Sequence, residues 1–428
     1  MGISYLAANQ WQVAAMNPPH LAAIMPWEGF SNFYRELTHQ GGILANFFVS
    51  ASWWPNQILK IQNGNGNTPF RDRETGALTT GAAIPEAELI ENRIEFFEEF
   101  SGRPFEDEWY RARTADLSKI EVPILSAGNW GGLGLHLRGN VEGYLAAGSS
   151  HKWLELHGGT HYESFYKPEW ISLQRQFFDR FLKGEQSGWD ERARVMLHVR
   201  HPDRFEYREE HEWPIARTRW KRVFLNASES GIAEQPSEQE GIVSYDPLGN
   251  GVEFMAEPFS SQQEITGPLS ARLWVETSAA DADFFVTLRL YDPRGQEVSF
   301  EGASEAAVPI TQGWLRLSHR EQDLARSTEY RPLHAHLRSA AVSPDTCYPI
   351  EVELWPTSIV VPKGYRIALL VEGRDFSRSP TREPRTGSGP FLHNDPTDRD
   401  PSRLQGVNRI RTGGSYDSSL LLPIVPSV

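Results

Sequence analysis

The sequence is poor in cysteine, in positive charge and in long apolar runs, and each scarcity excludes a class of protein. A single cysteine, Cys347, in 428 residues excludes an intrachain disulfide framework and a cysteine-based zinc site. The formal net charge of −14 argues against nucleic acid or an anionic membrane as the main partner. No apolar run approaches the length of a membrane span. One thiol in so long a chain is typical of a reducing compartment, which predicts a cytoplasmic protein.

The chain is too long for one core, and its pattern changes along its length. Residues 1–29 and 120–188 alternate short apolar runs with amphipathic stretches, which predicts a parallel sheet with crossover helices. Residues 30–119 are aromatic and helix-prone, and we interpret them as a helical insertion. Residues 189–428 consist of short alternating runs between Gly, Pro, Asp and Asn clusters, which is typical of an antiparallel sandwich or jelly roll.

The alternating region divides into individual elements. Residue spacing predicts helices over 5–16, 135–147 and 169–182, and buried strands over 21–25, 122–127 and 152–156. The order of these elements places polar loop residues after several strands.

A serine between small residues stands near the start of the chain. Residues 2–7 read GISYLA, and Ser4 directly precedes the first predicted helix. A nucleophile elbow has this form, because a serine on a tight strand-to-helix turn projects its Oγ from the sheet. Leu6 replaces the usual second glycine, and Ala7 is the next small residue. The alternative is a serine that caps the helix N-terminus.

A histidine follows the strand predicted over 152–156. His161 lies in the sequence HGGTHYES, before the last helix of the region. The base of a Ser…acid…His triad occupies such a loop in α/β-hydrolases, although an ordinary loop histidine fits equally well. His157 and His161 also raise the question of a metal site. No third ligand is evident, so we predict neither metal nor cofactor.

Several segments together resemble the CocE/NonD hydrolases. These segments are GISYLAANQWQ, LAAIMPWEGFSNFYRE, HLRGNVEGY, PTSIVVPKGYRIALLVEGRDF and YDSSLLLPIVP, and the resemblance covers nearly all of the chain. It implies an α/β-hydrolase domain over 1–29 and 120–188, a helical cap over 30–119 and a C-terminal jelly roll over 189–428. It also implies serine-dependent cleavage of a small-molecule ester or amide. Self-association stays open.

The resemblance leaves the acid of the triad unassigned. Many family members carry an aspartate in a W-Y-D-G sequence after the strand that matches VPILSAG, but Gly131 stands there in this chain. The loop 128–132 offers no carboxylate. Our hypothesis is that Glu28, after the run LAAIM, orients His161 instead. The alternative is a surface carboxylate that opens the helical insertion.

The elbow of this family follows five strands and two helices, which this sequence lacks. We therefore expect an N-terminally truncated chain of impaired activity, in which the runs 21–25 and 122–127 face solvent. The family's tyrosine hydroxyl in the oxyanion hole is missing as well, so the backbone N–H of Tyr5 is the remaining donor.

Tryptophans supply the expected substrate pocket, and two other functions stay open. We expect an apolar pocket formed from the cap and neighbouring loops by Trp27, Trp53, Trp54, Trp109 and Trp130. One alternative is an X-Pro dipeptidyl-peptidase, which needs an acidic site for the substrate amine. The other is a non-catalytic binding protein, in which an intact sandwich is attached to a degenerate hydrolase.

Overall fold

The computed structural model describes residues 1–46, 71–79, 84–92, 96–377 and 392–426. The chain forms a largely parallel sheet with flanking helices, followed by an antiparallel β-rich region. Strand pairing is continuous between the two parts through one bridge, Ile359 to Arg200.

The parallel sheet has the order β1-β2-β5-β6-β7, and β8 pairs antiparallel with β7 at the edge. Its strands are β1 (Gly2–Ile3), β2 (Pro26–Trp27), β5 (Ile124–Asn129), β6 (Lys152–His157), β7 (Val195–Arg200) and β8 (Phe205–Glu210). Its helices are α1 (Tyr5–Ala15), α5 (Leu137–Ala146), α6 (Glu163–Tyr166) and α7 (Pro168–Lys183). The predicted helices are confirmed, each with bounds within two residues.

The predicted strand over 21–25 is wrong in its position. The strand begins at Pro26, and Ile24 forms only an isolated bridge with Ile124. The apolar run instead ends in two buried residues, since Ile24 is 3% exposed and Met25 is fully buried. The expectation that this run and 122–127 face solvent is also wrong. Each of the two runs contributes residues to two apolar clusters, one that contains Trp11 of α1 and one that contains Phe177 of α7.

The stretch between β2 and β5 is only partly helical among the described residues. It contains a π-helical turn (Phe33–Thr38), the hairpin β3 (His39–Gln40) and β4 (Ile43–Leu44), helices α2 (Glu86–Asn92), α3 (Phe96–Ser101) and α4 (Glu108–Arg111), and a 3₁₀ turn (Leu117–Lys119). Asp107 caps α4, since its carboxylate accepts hydrogen bonds from the N–H groups of Trp109 and Tyr110. Tyr34, Phe100 and Tyr110 share one aromatic cluster.

The β-rich region is mostly antiparallel, and its strands supply most of the largest apolar cluster of the described residues. Its strands are β9 (Arg219–Asn226), β10 (Gly231–Ala233), β11 (Gly241–Tyr245), β12 (Val252–Ala256), β13 (Gln263–Thr277), β14 (Asp283–Tyr291), β15 (Glu297–Val298), β16 (Thr311–Arg316), β17 (Tyr348–Val361), β18 (Arg366–Glu372), β19 (Asn408–Thr412) and β20 (Ser419–Val425), with a 3₁₀ turn at Leu317–His319 and a short helix α8 (Pro401–Leu404). Another 3₁₀ turn, Trp189–Glu191, lies between α7 and β7. β13 pairs with β17, β19 and β20, whereas β14 pairs with β16 and β18. Because β7 pairs with β6 and β8 pairs with β7, strand pairing of the first sheet continues beyond residue 188.

A buried ion-pair cluster joins the two regions beside the site described below. Arg138 of α5 donates to Glu36 at 2.8 Å and to Glu353 of β17 at 2.9 Å. Glu36 also accepts from the backbone N–H groups of Ser31 and Asn32, which fixes the loop after β2. The arginine thus connects that loop, the helix after β5 and the β-rich region.

Candidate active site

Ser4 occupies a strained turn between β1 and α1. Its φ of 64° and ψ of −127° lie outside the ordinary regions for a residue with a side chain. Such strain persists only where the surroundings impose it, and it concentrates at functional sites. The Ser4 side chain makes no capping hydrogen bond to α1, so the helix-capping alternative is not what the structure contains.

Small residues allow the sharp turn, as the sequence pattern predicted. A Cβ on Gly2 would lie 2.7 Å from the Leu6 Cβ, and one on Gly29 would lie 2.5 Å from the Ala7 Cβ. Leu6 is 51% exposed, whereas Ala7 is fully buried. The position that must be small is therefore Ala7, which explains why Leu6 is tolerated in place of glycine.

Glu28 lies directly after β2, where the carboxyl ends of the parallel strands meet. It is fully buried and has a φ of 49°, a second strained residue near Ser4 in the fold. The alternative of a surface carboxylate is therefore excluded. Its carboxylate accepts hydrogen bonds from His161 Nδ1 at 2.7 Å and His157 Nε2 at 3.0 Å, and Asn129 Nδ2 lies 3.4 Å away.

His157 stands between two carboxylates. Its Nδ1 is 2.6 Å from Glu155 Oε2, and its Nε2 is 3.0 Å from Glu28 Oε1. Burial opposes the charged imidazolium, but Glu155 and Glu28 outweigh this effect and raise the pKa of His157 to about 10. Burial likewise opposes ionisation of Glu28, yet the hydrogen bonds from His157 and His161 lower its pKa to about 2. The buried carboxylate and the buried imidazolium stabilise each other's charge.

His161 lies on the loop between β6 and α6, and its side chain is 14% exposed. Its backbone N–H donates to the carbonyl of Ala303, at 2.8 Å, in a loop of the β-rich region. Ala303 in turn donates its N–H to the carbonyl of Gly131. The β-rich region therefore holds the histidine loop against the end of β5.

Ser4 and His161 are brought into one site, but no hydrogen bond between them is present in the described structure. The imidazole in contact with Ser4 Oγ is that of His136, whose Nε2 lies 3.4 Å away. The rings of His136 and His161 stack, with centroids 5.1 Å apart and planes inclined by 11°. Two imidazoles therefore lie beside one hydroxyl.

Sequence reasoning missed His136, which it assigned to a helix without a role. His136 precedes α5 directly and is 3% exposed. Burial and the neighbouring His161 lower the pKa of His136 well below its ordinary value. A signal was available, because polar residues that follow the strands of a parallel sheet gather at the edge where such proteins place their sites.

The structure explains why residue 131 carries no carboxylate. A Cβ on Gly131 would lie 2.4 Å from the Cα of Gly302, closer than real atoms approach. The neighbouring Asn129 donates to the carbonyl of Gly159 at 2.8 Å and accepts from the N–H of Gly131 at 2.9 Å. Close backbone contact with the β-rich loop leaves no room here for an acid.

The expected tryptophan pocket receives little support. Trp27 and Trp130 are 0% and 1% exposed, which corrects the expectation for these two residues, since neither ring has surface to offer a ligand. Trp27 donates to Ser164 Oγ, and Trp130 donates to the carbonyl of His198. Trp109 is half-buried beneath the guanidinium of Arg113. Trp53 and Trp54 lie outside the described residues.

The described residues offer no group of three or more His, Cys, Asp or Glu side chains suited to hold a metal ion. His157 and His161, which raised the question of a metal, are joined instead by the carboxylate of Glu28. In the same part of the chain, no helix is both long and apolar enough to cross a membrane.

Two family models match this chain. Residues 1–163 match the X-Pro dipeptidyl-peptidase (S15 family) model, and residues 187–421 match the model of the X-Pro dipeptidyl-peptidase C-terminal non-catalytic domain. Cocaine esterase of Rhodococcus sp. (strain MB1 Bresler) is 24% identical over 99% of this chain and 80% of its own length. The matches define the class, which is that of serine hydrolases with an additional β-rich domain.

Solved structures narrow the class to a family. A crystal structure of a CocE/NonD family hydrolase from Staphylococcus aureus is 30% identical, with a TM-score of 0.85 over 99% of this chain and 71% of that chain. An α-amino-acid ester hydrolase shares the fold at 14% identity, with a TM-score of 0.68 over 99% of this chain and 76% of that chain. The chain belongs to the CocE/NonD family of hydrolases, as the sequence segments predicted.

Proposed function

We propose that this chain cleaves an ester or amide by acyl transfer to Ser4, with His161 as general base and Glu28 as the acid that orients it. The observation that carries the proposal is the 2.7 Å hydrogen bond between His161 Nδ1 and the buried carboxylate of Glu28, beside a strained serine. A carboxylate on Nδ1 leaves Nε2 as the basic nitrogen and stabilises the imidazolium that forms.

The first chemical step transfers one proton and forms one bond. The Ser4 hydroxyl gives its proton to His161 Nε2 while Oγ attacks the carbonyl carbon of the substrate. Collapse of the tetrahedral intermediate returns that proton to the leaving alcohol or amine, and water then repeats the sequence on the acyl-enzyme. Ser4 Oγ faces His136 at rest, so the step requires the hydroxyl to turn towards His161. Catalytic hydrogen bonds are often long before substrate binds.

The start of α1 supplies the oxyanion site in this proposal. Tyr5 is the first residue of α1 and directly follows Ser4, so its backbone N–H stands at the positive end of the helix dipole. A donor fixed in this position stabilises charge that develops on the substrate oxygen.

His157 fixes the charge of the triad acid. With both of its ring nitrogens facing carboxylates, His157 holds Glu28 in its ionised form on the side away from His161. Glu28 therefore stays ionised above its pKa of about 2, and His157 supports that charge until its own pKa of about 10.

Three finer statements belong to the same proposal. The aromatic stretch 30–119 acts as a cap that shapes an apolar acyl pocket, to which Trp109 contributes, and the β-rich region 189–428 is a jelly roll. The substrate is a small ester or amide.

Labelling with a fluorophosphonate tests the nucleophile. We expect the probe to label the folded protein, and we expect Ser4→Ala to abolish the labelling. Ser172→Ala, on the exposed face of α7, is the matched control and should label normally. Equal labelling of both variants would refute the role of Ser4, and a folded protein that never labels would favour the non-catalytic binding reading.

A second candidate is an X-Pro dipeptidyl-peptidase, because both family models carry that description. Comparison of p-nitrophenyl acetate with alanyl-prolyl p-nitroanilide separates the two activities. Turnover of the ester alone supports the esterase. Preferential turnover of the nitroanilide supports the peptidase.

A further inference from the structure

The triad leaves one buried group at the nucleophile without a role. His136 Nε2 lies 3.4 Å from Ser4 Oγ, within hydrogen-bond range. This contact joins residues from the ends of two different strands, β1 and β5, across the site. A packing role alone does not require a polar atom at that point.

The surroundings of His136 restrict how its proton is placed. The residue is 3% exposed, and its Nδ1 has no hydrogen-bond partner among the described residues. A buried N–H without an acceptor is rarer in proteins than a buried acceptor without a donor. The tautomer with its proton on Nε2 avoids the orphaned N–H and directs a donor at Ser4 Oγ.

We propose that His136 is a further catalytic residue, a neutral imidazole that donates its Nε2–H to Ser4 Oγ while His161 removes the serine proton. This inference rests on the proposed function. The donated hydrogen bond occupies one lone pair of Oγ, which leaves the hydroxyl hydrogen to turn towards His161.

The step balances with His136 unchanged. The Oγ–H bond breaks, its proton moves to His161 Nε2, and the electron pair of Oγ forms the bond to the substrate carbon. His136 keeps its own proton throughout and stabilises the negative charge that develops on Oγ. A preorganised donor aimed at developing charge stabilises the transition state.

Neutrality of His136 matters because of the stacked ring beside it. His161 becomes positively charged when it accepts the serine proton, and its ring lies 5.1 Å from that of His136. A charged His136 would oppose this protonation, whereas a neutral His136 adds no such repulsion. Burial lowers the pKa of His136 and keeps it neutral.

Two substitutions of similar size test whether His136 acts as a hydrogen-bond donor or only as a packing group. His136→Gln keeps an N–H donor, and His136→Leu removes it. We expect His136→Leu to lower kcat for p-nitrophenyl acetate by about 10²–10³ with KM nearly unchanged, and His136→Gln to stay within about tenfold of the wild type. His211→Gln, at an exposed position of the β-rich part, controls for loss of an unrelated imidazole. Wild-type kcat in folded His136→Leu would overturn the inference.

Two further measurements keep the outcomes distinct. If His136→Gln is as inactive as His161→Gln, His136 is itself a base and the inference is wrong. If Ser4 labels normally in His136→Leu, the inference fails while the proposed function stands, and absence of labelling in the wild type overturns both. Long-range ¹H–¹⁵N spectra of histidine-labelled protein test the tautomer directly. We expect a neutral ring protonated on Nε2 between pH 6 and 8, and an Nδ1–H form would contradict it.

Discussion

Two buried carboxylates, one in each region of the molecule, are both held in the ionised form, but by partners of different chemistry. Glu28 in the parallel-sheet region and Asp283 in the β-rich region are 0% and 1% exposed. Burial opposes ionisation of both, yet their partners lower the pKa of each to about 2. The partners of Glu28 are the imidazoles of His157 and His161, a group that can take up and release a proton, whereas those of Asp283 are arginines, which stay charged.

The comparison indicates that the degree of charge stabilisation does not distinguish the carboxylate that we propose as the triad acid from one that pairs with arginines. The two carboxylates differ instead in the chemistry of their partners and in the conformation of their backbone. Glu28 has a strained φ of 49°, whereas Asp283 begins an ordinary strand, β14. The strained backbone and the imidazole partners together support the proposal that Glu28 takes part in the reaction.

The largest expected effect is on turnover at Glu28. Glu28→Gln keeps the shape but removes the charge that orients His161, so we expect kcat to fall by about 10³–10⁴. Hydrolysis of p-nitrophenyl acetate by folded protein measures it. Glu169→Gln, an exposed carboxylate of α7, should behave as wild type. Turnover of Glu28→Gln within tenfold of wild type would refute its assignment as the acid.

The same change at Asp283 is expected to affect stability rather than chemistry. Asp283→Asn leaves Arg316 and Arg399 with reduced compensation, and breaking a buried ion pair costs about 3–5 kcal/mol. Denaturant unfolding should show this loss, while the folded fraction labels at Ser4 at the normal rate. Asp203→Asn, in an exposed pair, is the control. An Asp283 variant of normal stability would contradict the comparison.

A smaller effect is expected in the alkaline stability profile. The pKa of His157 is raised to about 10 in the folded state, so its contribution is complete below the unfolded pKa near 6.5 and is lost as pH rises through about 10. His157→Gln should remove about 1.5–3 kcal/mol at neutral pH and less at pH 10. Thermal unfolding from pH 6 to 10 measures the difference, with exposed His151→Gln as the control. A pH-independent difference would place the contribution elsewhere.

The smallest expected effect tests the contact between the two regions. Gly131→Ala would place a methyl group 2.4 Å from the Cα of Gly302, so we expect a loss of about 1–3 kcal/mol through overpacking. The displaced loop includes Ala303, which holds the backbone of His161, so kcat should fall as well. Gly102→Ala, where a Cβ meets nothing within 4 Å, is the control. Unchanged stability and kcat would show that the loop yields freely.

The sequence by itself determined the features that depend on local pattern. Helical spacing defined α1, α5 and α7, and the small residues around Ser4 indicated its turn, because backbone sterics and one-sided burial act over a few neighbouring residues. The absence of an acid at Gly131 directed attention to Glu28, which lies far from His161 in sequence.

Only the tertiary structure decided which distant side chains meet. His136 lies against Ser4, and His157 lies between Glu155 and Glu28, because parallel strands end at the same edge of the sheet. No local pattern carries the register that sets these distances. Residue 131 is limited to glycine by Gly302, which arrives from the other region of the molecule through packing of the whole chain.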